Sequence, residues 1–141
     1  MYTVGWSKRS SFVSAKELSN ESITIFNFRI RKTLGDEEDW QSARDIIEEF
    51  YIFCRDCAKP FSLIMDASRL VTVDAMNAIR WVSLFFKHRE TTKQLLVCSC
   101  LITRNANVKR GMDSFLKLYD PIKPFRVVSD SQLAREFVEC H

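Results

Sequence analysis

The stretch PFSLIMDASRLVTVDAMNAI, residues 60–79, shows how this chain is organised. Its first part, Phe61 to Ala67, is a near-continuous apolar run, which is typical of a parallel strand covered on both faces. From Thr72 onwards the apolar residues recur at helical spacing. A buried strand that leads into a helix indicates an α/β sheet, and such sheets place ligand contacts just after the strand. Asp66 and Ser68 occupy that position.

The same alternation of strands and helices continues on both sides of this stretch. The other predicted elements, in chain order, are a hairpin over residues 12–28, a helix over 37–58, a strand over 94–102, a helix over 105–118, a strand over 125–128 and a helix over 130–138. Residues 2–6 are predicted only as extended. We therefore predict one domain over residues 1–141, with a mixed, mostly parallel α/β sheet of about five strands, an N-terminal antiparallel hairpin and about four helices.

Composition and charge restrict the classes of function. The chain has 141 residues, of which 46% are hydrophobic, and a net charge of +3. That length and composition suffice for one hydrophobic core, and the charges are interleaved, which does not indicate nucleic-acid binding. Five cysteines, an odd number, and a start without an apolar leader predict reduced thiols in the cytoplasm. No apolar run is long enough for membrane insertion.

Two cysteine motifs are candidates for chemistry. Cys54 and Cys57 form a C-x-x-C near the end of the first predicted helix, and the inward stripe of that helix predicts that both are buried. Cys98 and Arg104 have the C-x5-R spacing of a cysteine-dependent phosphatase loop, but the segment between them has no glycine and is predicted as strand. The chain has only two histidines, and no triad or metal-ligand pattern is apparent. We expect no catalytic residues, no cofactor and no metal site.

The second predicted helix, from Thr72 to about residue 88, provides a candidate partner surface. Its inward face is predicted to consist of Ala75, Ala78, Ile79, Val82, Phe85 and Phe86. Trp81, Leu84 and His88 then lie outside this face, at i, i+3 and i+7 spacing. Asn77 is on the same side as these three. Tryptophan is enriched at the centres of interfaces, although packing of Trp81 under a neighbouring helix or the amino-terminal segment is an open alternative.

The element order and several short segments resemble the STAS domain, the family of sulfate transporters and anti-sigma-factor antagonists. The segments are LIMDASRL (63–70), VTVDAMNAI (71–79), LLVCSC (95–100), NANVKRGMDSF (105–115) and FRVVSD (125–130). The resemblance extends over residues 20–138 and implies a non-enzymatic domain that binds other proteins, with the second helix as a partner surface. In the regulatory branch of that family, a serine in an Asp-Ser-Ser-Gly segment at the start of this helix is phosphorylated, which breaks the complex.

The matching segment in this chain is Asp74-Ala75-Met76-Asn77, which keeps the acidic residue but has neither serine. The resemblance therefore implies that the usual phosphorylation switch is absent, and a constitutive interaction suits the chain better. Ser68 and Thr72 are the nearby phosphoacceptor candidates. The alternatives are a turn hydrogen bond for Ser68 and a helix cap for Thr72.

The predicted function is a protein-interaction module whose partner is a regulatory protein or a second copy of the chain. Its contact surface would combine the segment Asp66–Asp74 with the outer side of the second helix. A turn or capping role is the alternative for Asp66. Three basic residues at the start of the third predicted helix complete the surface as candidates for binding a phosphate or an acidic side chain, with solvated charge as the alternative: Arg104, Lys109 and Arg110.

Two other classes of function are open alternatives. One is a small-ligand or lipid-binding domain, because similar-looking β-α sheets in lipid-transfer proteins hold apolar ligands. The eleven phenylalanines of the chain would then line a cavity as well as a packed core. The other is a cysteine-dependent enzyme, which requires the Cys98–Arg104 segment to form a phosphate-binding loop.

Overall fold

Six strands form one mixed sheet in the described part of the chain. The structure, a computed structural model, describes residues 2–10, 12–20, 22–32, 36–71, 75–118 and 120–141. The strands are β1 (Thr3–Arg9), β2 (Val13–Ser19), β3 (Thr24–Ile30), β4 (Phe61–Asp66), β5 (Leu96–Ile102) and β6 (Phe125–Val128). The helices are α1 (Glu37–Cys57), α2 (Ala75–Lys87), α3 (Arg89–Leu95), α4 (Ala106–Leu118) and α5 (Ser131–Glu139). The spatial order of the strands follows the chain; β1, β2 and β3 pair antiparallel, and β3 to β6 pair parallel.

The predicted α/β fold class is confirmed, with two elements in addition. β1 pairs with β2 and adds a third antiparallel strand to the predicted hairpin of β2 and β3. α3 is a short helix just before β5, in a segment whose last residues are predicted as strand. Its buried side chains are the threonines Thr91 and Thr92, so hydrophobic spacing does not reveal it.

α1 begins and ends at signals that are visible in the sequence. Asp36 has extended backbone dihedrals, and its carboxylate accepts a hydrogen bond from the amide N–H of Asp39 at 2.9 Å. This is the geometry of an N-cap. At the other end, Ala58 adopts a left-handed backbone conformation with φ of 51°, and its N–H bonds to the carbonyl of Cys54. A left-handed residue after the last turn ends the helix.

α1, α2 and α4 lie on one face of the sheet, and α5 lies on the other. The core on the three-helix face is aromatic and centres on Phe50 of α1, whose ring lies 4.8 Å from that of Phe26 and 5.4 Å from that of Phe61. On the opposite face, Cys98 and Cys100 of β5 are buried against α5. Cys98 and Cys100 are two residues apart in β5 and therefore lie on the same face of the strand.

The face of α2 that meets the core differs from the predicted one. Leu84 is 5% exposed, and the half-buried ring of Trp81 lies 5.2 Å from that of Trp40 in α1. Ile79 and Phe86 are 51% and 59% exposed. The prediction is therefore wrong in placing Ile79 and Phe86 inward and Leu84 outward. For Trp81 the observed arrangement is the alternative left open, packing against a neighbouring helix. α2 has large apolar residues on both sides, so its spacing alone does not select the buried side, and the aromatic surface of α1 does.

The predicted burial of Cys57 in α1 also needs correction. Cys54 is buried against the core, but Cys57 is exposed, so the prediction that both lie inside is wrong for Cys57. Cys57 is the final residue of α1, and the next three residues, 58–60, are also exposed. The helix therefore extends one turn beyond the sheet that it covers, and periodicity along the helix does not show where the core ends.

Candidate functional site

Asp66 ends β4 at the carboxyl edge of the sheet, and its carboxylate forms a local turn. One oxygen, Oδ1, accepts hydrogen bonds from the backbone N–H of Ser68 at 3.0 Å and from the Ser68 hydroxyl at 2.6 Å. The other, Oδ2, lies 3.6 Å from Nε of Arg29. The turn role left open for Asp66 and Ser68 is therefore the observed arrangement. Their predicted neighbours Thr72 and Asp74, and the side chains of Ala75 and Ala78, lie outside the described residues.

The start of α4 is capped within the chain. Three basic residues around it are exposed: Arg104, Lys109 and Arg110. The side-chain carbonyl of Asn105 accepts hydrogen bonds from the amide N–H groups of Asn107 and Val108, at 2.8 and 3.2 Å. Arg104 donates from Nε to the carbonyl of Ser129 at 3.0 Å. Because Asn105 already uses the amides that an anion would need, these contacts favour solvated charge, and anion binding stays a prediction.

The Cys98–Arg104 segment is strand as far as Ile102. Burial raises the pKa of Cys98, and burial together with the neighbouring Cys98 raises the pKa of Cys100 to about 11. The thiol of Cys98 donates a hydrogen bond to the hydroxyl of Ser62 at 3.4 Å, inside the core. A catalytic cysteine needs an accessible thiol with a lowered pKa, so this geometry does not favour the phosphatase alternative.

His88 lies between α2 and α3 and is 5% exposed, so the prediction that it lies on the outer surface is wrong. Its ring stacks on Tyr51 of α1, with centroids 4.2 Å apart and planes 10° apart. Nε2 of His88 is 2.9 Å from Glu48, and Nδ1 is 3.2 Å from the guanidinium of Arg55. Since a guanidinium only donates, Nδ1 accepts and the proton lies on Nε2, which donates to Glu48. The neutral ring thus joins α1 to the end of α2.

Burial and the neighbouring charges act on the pKa values of both His88 and Glu48. Burial lowers the pKa of His88, and the charges of Arg55 and Lys87 lower it further, while Glu48 acts in the opposite direction. Burial alone would raise the pKa of Glu48. Lys87, whose Nζ lies 2.9 Å from the carboxylate, and His88 both lower this pKa, and together they exceed the effect of burial, so the pKa of Glu48 is lowered. The network therefore favours neutral His88 and ionised Glu48.

We expect the free energy of unfolding to decrease as the pH falls from about 7 to about 5, on either side of the ordinary histidine pKa of about 6.5. In this window the unfolded chain takes up a proton on His88 that the folded chain resists, so lower pH favours the unfolded state. Urea unfolding at the two pH values measures this. A His88→Asn variant should lose most of the difference, while a His141→Asn variant, altered at an exposed histidine, should keep it. Equal pH dependence in wild type and His88→Asn would contradict the assignment.

Three apolar side chains of α2 are exposed on one side of the helix, and we call them the α2 surface: Met76 (67% exposed), Ile79 (51%) and Phe86 (59%). Their i, i+3 and i+10 spacing places them within one narrow sector of the helix. Val71, just before the undescribed residues 72–74, is also exposed, and Asn77 is half-buried. That this helix forms a partner surface stays a prediction, but Ile79 and Phe86, which were predicted on its buried side, are exposed. Met76 was not part of the predicted inward face, so its exposure is the one feature of the α2 surface that the sequence already indicated.

A cavity of about 160 Å³ lies on the three-helix face, between the sheet and α1, α2 and α4. Leu63 and Leu101 of the two central parallel strands line it, together with Phe85 of α2 and Phe115 of α4. The phenylalanine content of the sequence is compatible with such a cavity but does not show where it lies. The described residues include no cluster of three or more metal-ligating side chains, and none of their helices is long and apolar enough to cross a membrane.

The overall architecture has a counterpart among solved structures. No protein-family model matches the sequence, and no curated protein matches it. The chain is similar to a protein from Shewanella loihica PV-4, described as an uncharacterised protein of the DUF3478 family with a SpoIIAA-like fold. The TM-score is 0.64 and the identity 12%, over 94% of this chain and 98% of that protein. Likeness at this identity shows the fold, and this chain therefore has a SpoIIAA-like fold, the anti-sigma-factor-antagonist architecture that its sequence segments resemble.

Proposed function

We propose that this domain is a protein-interaction module that pairs with a second copy of itself through the α2 surface. The supporting observation is that Met76, Ile79 and Phe86 are each more than half exposed on one side of one helix. Clustered apolar side chains of this kind mark interaction sites more often than single exposed ones do. The STAS resemblance also implies a partner surface on this helix. We place that surface on the exposed side of α2, opposite to Trp81 and Leu84. It assigns the domain no catalytic step.

The charges beside the α2 surface favour a second copy as the partner. Arg80 forms an ion pair with Glu37, and Lys87 forms one with Glu48 at 2.9 Å. Both cations of α2 are therefore compensated by α1 of the same chain. Two copies related by a twofold axis could then bring their apolar side chains together without strong repulsion between like charges. Arg89, whose guanidinium lies 5.6 Å from the ring centre of Phe86, remains at the rim.

We expect wild-type protein to be a dimer and an Ile79→Ser, Phe86→Ser variant to be a folded monomer. The double variant removes two apolar side chains from each copy, four from a symmetric interface, and should weaken the dimer by at least on the order of 100-fold. Size-exclusion chromatography with light scattering, over a range of protein concentrations, measures the change.

The matched control for this experiment is Ile52→Ser, because Ile52 of α1 has the same 51% exposure as Ile79 but lies on another helix. It should remain a dimer. A wild-type protein that stays monomeric at all concentrations would overturn self-association. A dimer that survives in the Ile79→Ser, Phe86→Ser variant would show that another surface forms the contact.

A further inference from the structure

The cavity under the three helices is a second candidate binding site, independent of the α2 surface. At about 160 Å³ it matches the roughly 150 Å³ apolar cavities that stay free of water and bind benzene. Apolar side chains dominate its lining, and the polar exceptions among the described lining residues are Tyr51, Thr92, Ser99 and Lys123. Side chains around an empty space of this size lose dispersion contacts that an apolar guest restores.

The lining of the cavity includes both fully buried and half-buried residues. Ala43 and Val108, on α1 and α4, are 0% and 1% exposed and form its inner wall. Pro121, Ile122 and Lys123 line it as well, but they are half-buried and belong to the segment between α4 and β6. The cavity therefore extends from the core to half-buried residues, and the segment 121–123 is one of the places where its lining reaches the surface. A ligand can enter there without passing through the sheet.

Lys123 provides the charge at this opening. Its side chain is half-buried, and it forms no ion pair with any acidic residue in the described ranges. A partly desolvated ammonium group without a partner favours an anion, and a carboxylate there would gain charge-assisted hydrogen bonds. The apolar interior and Lys123, the one charged side chain among the described lining residues, therefore select the same kind of molecule, one with an apolar body and one acidic group.

We propose that the cavity binds small apolar carboxylates, with the ring or short alkyl chain against Phe85 and Phe115 and the carboxylate at Lys123. The apolar part is buried by the side chains that line the interior. The carboxylate stays at the half-exposed mouth, where it pairs with Lys123 and keeps part of its hydration. The site requires no second copy of the chain, because every residue in it belongs to one chain.

Phenylacetate and toluene test this proposal, because they share a benzyl group and differ in the carboxylate. We expect both to shift the amide NMR signals of lining residues in the full chain, and phenylacetate to bind more tightly. Lys123→Gln should weaken phenylacetate binding about fivefold, as expected for one partly exposed ion pair, and leave toluene binding unchanged. Lys117→Gln, altered at an exposed lysine of α4 that does not line the cavity, should change neither.

Two variants that fill the cavity complete the experiment. Ala43→Leu adds three carbon atoms to the inner wall and should abolish binding of both probes, while Val108→Leu adds one and should weaken binding of both. Both variants should still unfold cooperatively. No binding of either probe to wild type, or unchanged binding in both filled variants, would overturn the proposed site. Equal phenylacetate affinity in wild type and Lys123→Gln would overturn the role of the carboxylate. If a cavity variant no longer binds the probes but is still a dimer, the cavity and the α2 surface are independent, and the two proposals can fail separately.

Discussion

Replacing Trp81 and Leu84 together by alanine should lower the free energy of unfolding by about 5 kcal/mol, a large share of the stability of a domain of this size. Leu84 is 5% exposed, and its truncation leaves space in the core on the three-helix face. Trp81 contacts Trp40 edge-to-face at 5.2 Å and stacks on Phe85 at 6.0 Å. Trp81 is only half-buried, and the two residues are one turn apart, so their effects should not simply add.

The control for this prediction lies on the same helix. Met76→Ala combined with Ile79→Ala removes two large apolar side chains that are exposed in the single chain, and it should change the unfolding free energy by less than about 1 kcal/mol. Alanine is also the better helix former, which offsets part of any loss. Urea denaturation below the dimer dissociation concentration compares the two pairs. Equal destabilisation by both pairs would contradict the assignment of the buried face of α2.

Phe50→Ala should lower the free energy of unfolding by about 4 kcal/mol, as expected for deletion of a fully buried aromatic side chain. Phe50 is 1% exposed, and its ring lies edge-on to those of Phe26, Phe28 and Phe61 at 4.8, 5.0 and 5.4 Å. Each of these edge-to-face ring pairs stabilises the fold in addition to the stabilisation from the apolar area that it buries. Because the rings come from α1, β3 and β4, truncation of Phe50 weakens the attachment of α1 to the sheet.

Phe86→Ala is the matched control for Phe50→Ala, since it removes the same side chain from a position that is 59% exposed. It should change the unfolding free energy by less than about 0.5 kcal/mol in the monomer. Thermal and urea unfolding of both variants measure the difference. If Phe50→Ala behaved like Phe86→Ala, the aromatic cluster would not be the centre of the core.

The local signals of the sequence predicted most elements of the fold. Asp130, the first residue of the predicted helix over 130–138, accepts a hydrogen bond from the N–H of Leu133 at 2.9 Å and caps α5. β6 covers residues 125–128, as predicted from a short β-branched run after the proline-rich segment. These features depend on a few neighbouring residues, and their physical causes, capping and turn chemistry, are themselves local. The short helix α3 escaped prediction because its inward side chains are polar.

The candidate site was predictable only in part. Asp66 and Ser68 were placed correctly at the carboxyl edge of the sheet, since the end of a buried strand is visible in the sequence. The roles of His88 and Lys123 were not, because each depends on residues far away in the chain. Tyr51, Glu48 and Arg55 bury and orient His88 across a separation of more than thirty residues. Lys123 matters only because three helices leave a cavity beside it.

The sequence by itself determined the order of strands and helices, and hence the α/β class, because hydrophobic periodicity and caps act over a few residues. Only the tertiary structure decided which side of α2 is buried. That helix offers Trp81 and Leu84 on one side and Ile79 and Phe86 on the other, and both sides are apolar enough to pack. The choice depends on the complementary shape and aromatic character of α1 and α4, whose contacting residues Trp40 and Phe115 are distant from α2 in the sequence. For the same reason, the partner surface that we propose on this helix could not be assigned to particular residues from the sequence, because the packing of its neighbours decided which apolar residues stay exposed.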